Sequence, residues 1–144
     1  MNYCDVSKLK GKIVNKIEKF GDSDLVFHCN TGEIFRMYHF QDCCECVYLE
    51  DIAGDLNNLI NTPILKVEEN SSSKEDDWNS MTWTFYILTT VKGYVNLRWY
   101  GESNGYYSES VDFMLYENKE EYQREKQFLL KELEERCETL EIFE

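Results

Sequence analysis

Apolar and polar residues alternate along Lys12–Phe20, and Asp24–Cys29 reads as a second short strand, with Gly21-Asp22-Ser23 between them as a turn. Asn30-Thr31-Gly32 offers a second tight turn into Glu33–His39, so the first third of the chain predicts a strand meander. Within Ile34-Phe35-Arg36-Met37-Tyr38-His39 the alternation places Phe35, Met37 and His39 on one face. His39 then leaves the apolar face where the chain enters His39-Phe40-Gln41-Asp42-Cys43-Cys44-Glu45-Cys46.

Val47–Ile52 reads as another strand with an imperfect period, and Asp55–Ile60 as one or two helical turns capped by Gly54 or Asp55 and ended before Pro63. Ile64–Glu68 is a short strand. Residues 69–80, polar, acidic and serine-rich, predict a loop. Met81–Thr90 and Tyr94–Tyr100 are dense in aromatic and β-branched residues and predict a central hairpin around Val91-Lys92-Gly93. After a turn at Gly101–Gly105, Tyr106–Tyr116 alternates again. From Lys119 the period changes to 3.6, with Tyr122, Lys126, Leu129, Leu130, Leu133, Cys137 and Leu140 near one stripe. That predicts a helix over 117–143 packed on the sheet. A coiled-coil dimer is the weaker alternative, because Lys126 interrupts one short stripe. The fold class is therefore α+β: a mostly antiparallel β-sheet, a short helix after the cysteine cluster and a long C-terminal helix.

A chain of 144 residues, 42% apolar, fits one domain over 1–144 with a core that needs no metal or disulfide. The opening MNYCDVSKLKGK lacks the apolar run of a signal peptide, and no stretch reaches membrane-spanning length. The expected location is a reducing cytoplasm, where clustered cysteines point to thiols or metal ligands before disulfides. The net charge of -13 is uneven. Lys8, Lys10, Lys12, Lys16 and Lys19 against Asp5 and Glu18 make the first 20 residues +3, leaving -16 on the other 124. Such a surface repels phosphate and attracts basic grooves.

The cysteine cluster carries the candidate chemistry. Zinc takes about four ligands from thiolate, imidazole or carboxylate. His39 and Cys43 are close enough to converge, Cys44 can join if the backbone bends at Gln41-Asp42, and Asp42, Glu50 or Asp51 could add an oxygen ligand or hold the histidine ring. His28 and Cys29 would reach the same corner if their strand pairs with the next. The candidate ligands of a Zn2+ ion are thus His39, Asp42, Cys43 and Cys44. There is no CxxC pair, so the residues leave three readings open: structural zinc, a metal-free buried thiol corner, or redox chemistry.

RMYHFQDCCECVYLEDIAGDLNNLINTPILKVEE and the later TWTFYILTTVKGYVNLRWYGESNGYYSESVDF resemble a small, largely uncharacterised domain family of phages and bacteria. The resemblance rests on His-x-Gln-Asp-Cys-Cys-Glu, Glu-Asp-Ile, Gly-Asp-Leu, Pro-Ile-Leu, Trp-Thr-Phe-Tyr, Arg-Trp-Tyr-Gly and Asn-Gly-Tyr-Tyr-Ser-Glu, and covers roughly residues 10–113. It implies that His39, Asp42, Cys43, Cys44 and Glu45 belong to a common pattern from which Cys46 departs. It brings no enzyme chemistry. In character, though not through matched residues, the chain also resembles anti-CRISPR inhibitors of Cas9, one of them a metalloprotein.

No P-loop, Rossmann glycine pattern, HExxH or GxSxG is present, and the chain is read as a non-enzyme. The expected function is a phage-type inhibitor of a bacterial nucleic-acid-directed defence nuclease, acting by acidic protein contact without binding nucleic acid or membrane directly. Glu132, Glu134, Glu135 and Glu138 on the outer face of the helix are the candidate contacts to a basic nucleic-acid-binding host protein, with Cas9 as the example. An exposed aromatic beside Glu102, Glu109 and Asp112 would serve as anchor. The alternatives are a metal-dependent hydrolase using Glu45 or Glu50, and a small zinc-stabilised structural domain.

Overall fold

A computed structural model describes residues 2–144. In chain order the strands are β1 (Asn2–Tyr3), β2 (Val14–Phe20), β3 (Asp24–Cys29), β4 (Ile34–Tyr38), β5 (Cys46–Ala53), β6 (Lys66–Glu75), β7 (Ser80–Thr90), β8 (Gly93–Ser103), β9 (Asp112–Leu115) and β10 (Leu140–Phe143). One α-helix, α1 (Lys119–Glu135), lies between the last two, and 3-10 turns cover Val6–Leu9 and Leu56–Leu59. The strands form a six-stranded sheet, β1-β9-β4-β3-β2-β10, and a four-stranded sheet, β5-β8-β7-β6. Every ladder is antiparallel. The fold is α+β with mostly antiparallel sheet, a short helical turn after the cysteine cluster and one long helix near the C-terminus.

The two sheets face each other over one core. Val14, Ile17, Leu25, Phe27, Phe35, Met37 and Phe113 from the larger sheet meet Leu49, Tyr86, Leu88, Val95, Leu97 and Trp99 from the smaller. The expected face of Phe35 and Met37 is the one buried there. Leu9, Leu56 and Leu59 from the 3-10 turns join that core. Their turns are started by Asp5 and Asp55, whose side chains accept from the backbone N–H two residues on. In β2 the register shifts between Val14 and Lys16. That bulge lets both Val14 and Ile17 point inward although they are three apart.

The opposite face of the six-stranded sheet is covered by α1. Phe20, Val26, Ile34, Tyr38 and Met114 pack there with Tyr122, Leu129 and Leu133 of the helix, which is the stripe its 3.6 period predicts. Asn118 caps the helix, accepting from Glu121 N–H at 2.8 Å.

Three expectations are corrected. Residues 69–75 are strand, not loop: β6 pairs with β7 over its whole length, from Lys66 opposite Thr89 to Glu75 opposite Ser80. β6 is an edge strand exposed along its polar half, so it carries no alternation to betray it. Tyr106–Tyr116 is strand only over Asp112–Leu115. The helix ends at Glu135 and does not run to 143. Cys137 turns into left-handed backbone at φ 56°, and Leu140–Phe143 returns as an edge strand beside β2. Leu140 still packs on the helix-side core, so its apolar character served a strand and was mistaken for the next helical turn.

Candidate functional site

The segment between β4 and β5 is organised around one carboxylate. Glu45 is buried, and each of its oxygens accepts two hydrogen bonds. Oε1 accepts from the Cys43 N–H at 2.8 Å and Gln41 Nε2 at 3.2 Å; Oε2 accepts from the Asp42 N–H at 2.9 Å and His39 Nε2 at 2.8 Å. Gln41 also ties the backbone carbonyl of Glu45 at 2.5 Å. Burial pushes the Glu45 carboxyl up, but the Cys43 N–H, His39 and Asp42 N–H together outweigh it and hold the group down to about 2. The chain thus wraps its own anion.

His39 serves this arrangement with both ring nitrogens. Nε2 meets Glu45, and Nδ1 lies 2.7 Å from the backbone carbonyl of Ser110. A carboxylate and a carbonyl only accept, so both nitrogens donate and the ring is an imidazolium. The ion pair pins the loop to the segment before β9. A second tie runs from the Phe40 N–H to Asp112 Oδ2 at 2.8 Å.

The expected Zn2+ site at His39, Asp42, Cys43 and Cys44 is therefore corrected. Among the described residues no three His, Cys, Asp or Glu side chains come together to hold a metal. Neither nitrogen of His39 has a free lone pair, and Cys43 and Cys44 are bonded to each other as a disulfide. Asp42 contributes its backbone N–H to Glu45. The expectation of reduced thiols fails for this pair, while Cys4, Cys29, Cys46 and Cys137 are free. His28 does not reach the corner. Antiparallel pairing puts it opposite Ile34, at the far end of β4 from His39. Glu50 is drawn to Arg98 at 2.9 Å on the outside of the smaller sheet, beside the bulge between Leu49 and Asp51.

The loop lies between two clefts. One, of about 540 Å³, brings His39, Phe40 and Gln41 together with Glu132, Arg136 and Glu138 at the end of α1. The other, of about 300 Å³, joins Cys44 and Cys46 to Asn79, Glu102 and Tyr107 at the end of the smaller sheet. Of the four acids expected on the helix, Glu134 and Glu135 are exposed on α1 and Glu132 sits 3.8 Å from Arg136, while Glu138 lies beyond the helix end at Glu135. Glu138 is structural: it accepts from the Asp22 N–H at 3.1 Å and pairs with Arg136 at 3.0 Å. Gly21 makes room for it, since a Cβ there would come within 1.8 Å of Glu138 Oε2.

The same end of the molecule exposes aromatics. Phe40 is 64% exposed on the loop itself, Trp78 is 84% exposed in the β6–β7 turn and Tyr106 is 89% exposed after β8. The β6–β7 turn is fixed by Asp76, which accepts from the Trp78 and Asn79 N–H groups at 2.9 and 2.6 Å. Of the acids named beside such an anchor, Glu109 accepts from Thr82 and Ser103, Asp112 from Phe40, and Glu102 from Tyr100.

A second polar centre escaped the sequence reading. Glu18 on β2 is 0% exposed, yet it receives His28 Nε2 at 2.5 Å, Lys126 Nζ at 2.7 Å and the Tyr122 hydroxyl. Desolvation raises its carboxyl, but His28, Lys126 and Tyr122 prevail and hold it at about 2. The signal available was Lys126 itself, a cation placed in the apolar stripe of a helix.

These features define a two-sheet antiparallel sandwich with a helix on one outer face and a carboxylate-centred loop at one end. Residues 7–113 match Domain of unknown function (DUF7448), and the chain belongs to that family. The match includes the whole loop and stops inside β9, before α1 and β10. No curated protein and no solved structure matches the chain. Among the described residues no helix is long and apolar enough to cross a membrane.

Proposed function

We propose that this protein is a non-enzymatic binding module that uses the end of the sandwich around the 39–46 loop to engage a basic, nucleic-acid-binding host protein. The observation that carries the reading is Phe40, an exposed aromatic held on a loop whose backbone is fixed from both sides, next to the acids at the end of α1. A rigid aromatic with little ordering left to lose suits an interface anchor. Asp22 and Glu132, which share its cleft, and Glu134 and Glu135 further along the exposed side of α1 would meet arginines and lysines on the partner, and the net charge of -13 would speed the encounter.

A phage-type inhibitor of a nucleic-acid-directed defence nuclease, Cas9 among them, is the specific form of this proposal. An acidic face of this kind would occupy a groove meant for phosphate. The two carboxylates considered for catalysis support a binding role, since Glu45 and Glu50 are each engaged by donors of the same chain. Affinity capture from bacterial lysate tests the reading. Retention of a nucleic-acid-binding protein, lost on Phe40→Ala, is expected; recovery of none at either low or physiological salt contradicts it.

A further inference from the structure

Between α1 and strands β2, β3 and β4 of the six-stranded sheet lies a cavity of about 570 Å³, remote from the 39–46 loop. Its charge is opposite to that of the molecule. Lys16 of β2, Lys119 at the first position of α1 and Lys126 two turns further along the same face line it with His28, against one lining carboxylate, Glu144. The buried Glu18 beneath is matched by Lys126 and by the hydrogen bonds of His28 and Tyr122, which hold those groups in place. Lys16 and Lys119 are not spent on it. In a chain with 28 acidic and 15 basic residues, three lysines around one cavity focus a local positive field within an acidic surface.

We infer that this cavity is a binding site for a small phosphomonoester. Lysine ammonium groups bind phosphate as point charges. Asn15 and Gln123 at the rim add amide donors, and Ile34 and Cys29 give one wall an apolar surface. The volume is that of a small-molecule pocket and exceeds what a bare inorganic anion fills. The ligand therefore has a phosphate facing Lys16 and Lys119 and a less polar body against Ile34. Glu144 is the built-in competitor, the carboxylate that lines the same cavity. This site is independent of the protein-binding reading and stands or falls without it.

The test is an NMR titration of the full chain with adenosine monophosphate, with adenosine and inorganic phosphate as the two partial ligands. Saturable shifts with the monophosphate at residues around Lys16, His28 and Lys119, weaker ones with phosphate and none with adenosine, are expected. The Lys16→Ala, Lys119→Ala double variant should bind at least tenfold more weakly, and Glu144→Ala more tightly. Both changes are at the rim, and Lys126 is left intact so that Glu18 keeps its partner. No saturable shift, or equal binding by the double variant, overturns the site, as does equal binding of adenosine.

Discussion

His39 Nε2 lies 2.8 Å from Glu45 Oε2, both side chains almost wholly out of solvent, so a charge pair stands where the motif suggested a metal. The loop then needs no ion to hold its shape. Added chelator should leave the melting temperature of the protein unchanged. His39→Ala and Glu45→Ala should each lower it, and the double variant should fall by less than their sum, because each single change strands the other partner in a buried place. A melting temperature that drops with chelator would contradict this.

Acid should undo two centres together. The carboxyls of Glu18 and Glu45 are held at about 2 in the folded chain, below the ordinary 4.5. Between those values the unfolded chain binds more protons, so both contributions are complete above the ordinary value and drain away as pH falls toward 2. Urea midpoints measured from neutral pH downward should hold steady and then fall through that window. Glu45→Gln should show a shallower fall than the wild type.

Lys126 meets Glu18 at 2.7 Å beneath the helix. Glu18→Gln takes the counter-charge from a half-buried Lys126 and should cost about 3 kcal/mol, the low end for breaking one side of a buried pair because the lysine keeps some contact with water. Tyr122→Phe removes one hydrogen bond to the charged oxygen and should cost about 1.5–3 kcal/mol. Urea unfolding measures both, and a neutral Glu18→Gln would show that the centre is slack.

Gly21 combines left-handed backbone, φ 55°, with close contact to Glu138. Gly21→Ala should lose about 1–2 kcal/mol from the backbone alone. It should also free the β2–β3 turn from the end of α1, seen as faster amide exchange at Asp22.

Much of this was legible in the chain. Strands β2 to β4 follow from short apolar runs between turn residues, β3 and β4 being buried on both faces, and the helix follows from its 3.6 period because it buries one face only. β6 was not legible, since an exposed polar edge strand owes its conformation to β7 and not to its own side chains. Leu140 misled for the converse reason: its apolar residue obeyed the helical spacing while packing from a strand. At the site, three of the four expected ligands, His39, Asp42 and Cys43, do come together, but on the Glu45 carboxylate and not on a metal. What the motif could not give was which atom they converge on. Asp42 and Cys43 act through backbone N–H groups, and side-chain identity says nothing of where those point. Glu18 was hidden because a buried charge is recognisable only beside the groups that match it, and those are His28 on β3 and Tyr122 and Lys126 on a helix about a hundred residues away.

Amide hydrogen exchange on the complex with the captured basic partner tests the binding face most directly. Protection should rise at residues 39–46 and across 132–138, with the outer face of the smaller sheet around Trp83 and Phe85 unchanged. Protection confined to that outer face, or no change over 39–46, would contradict the account.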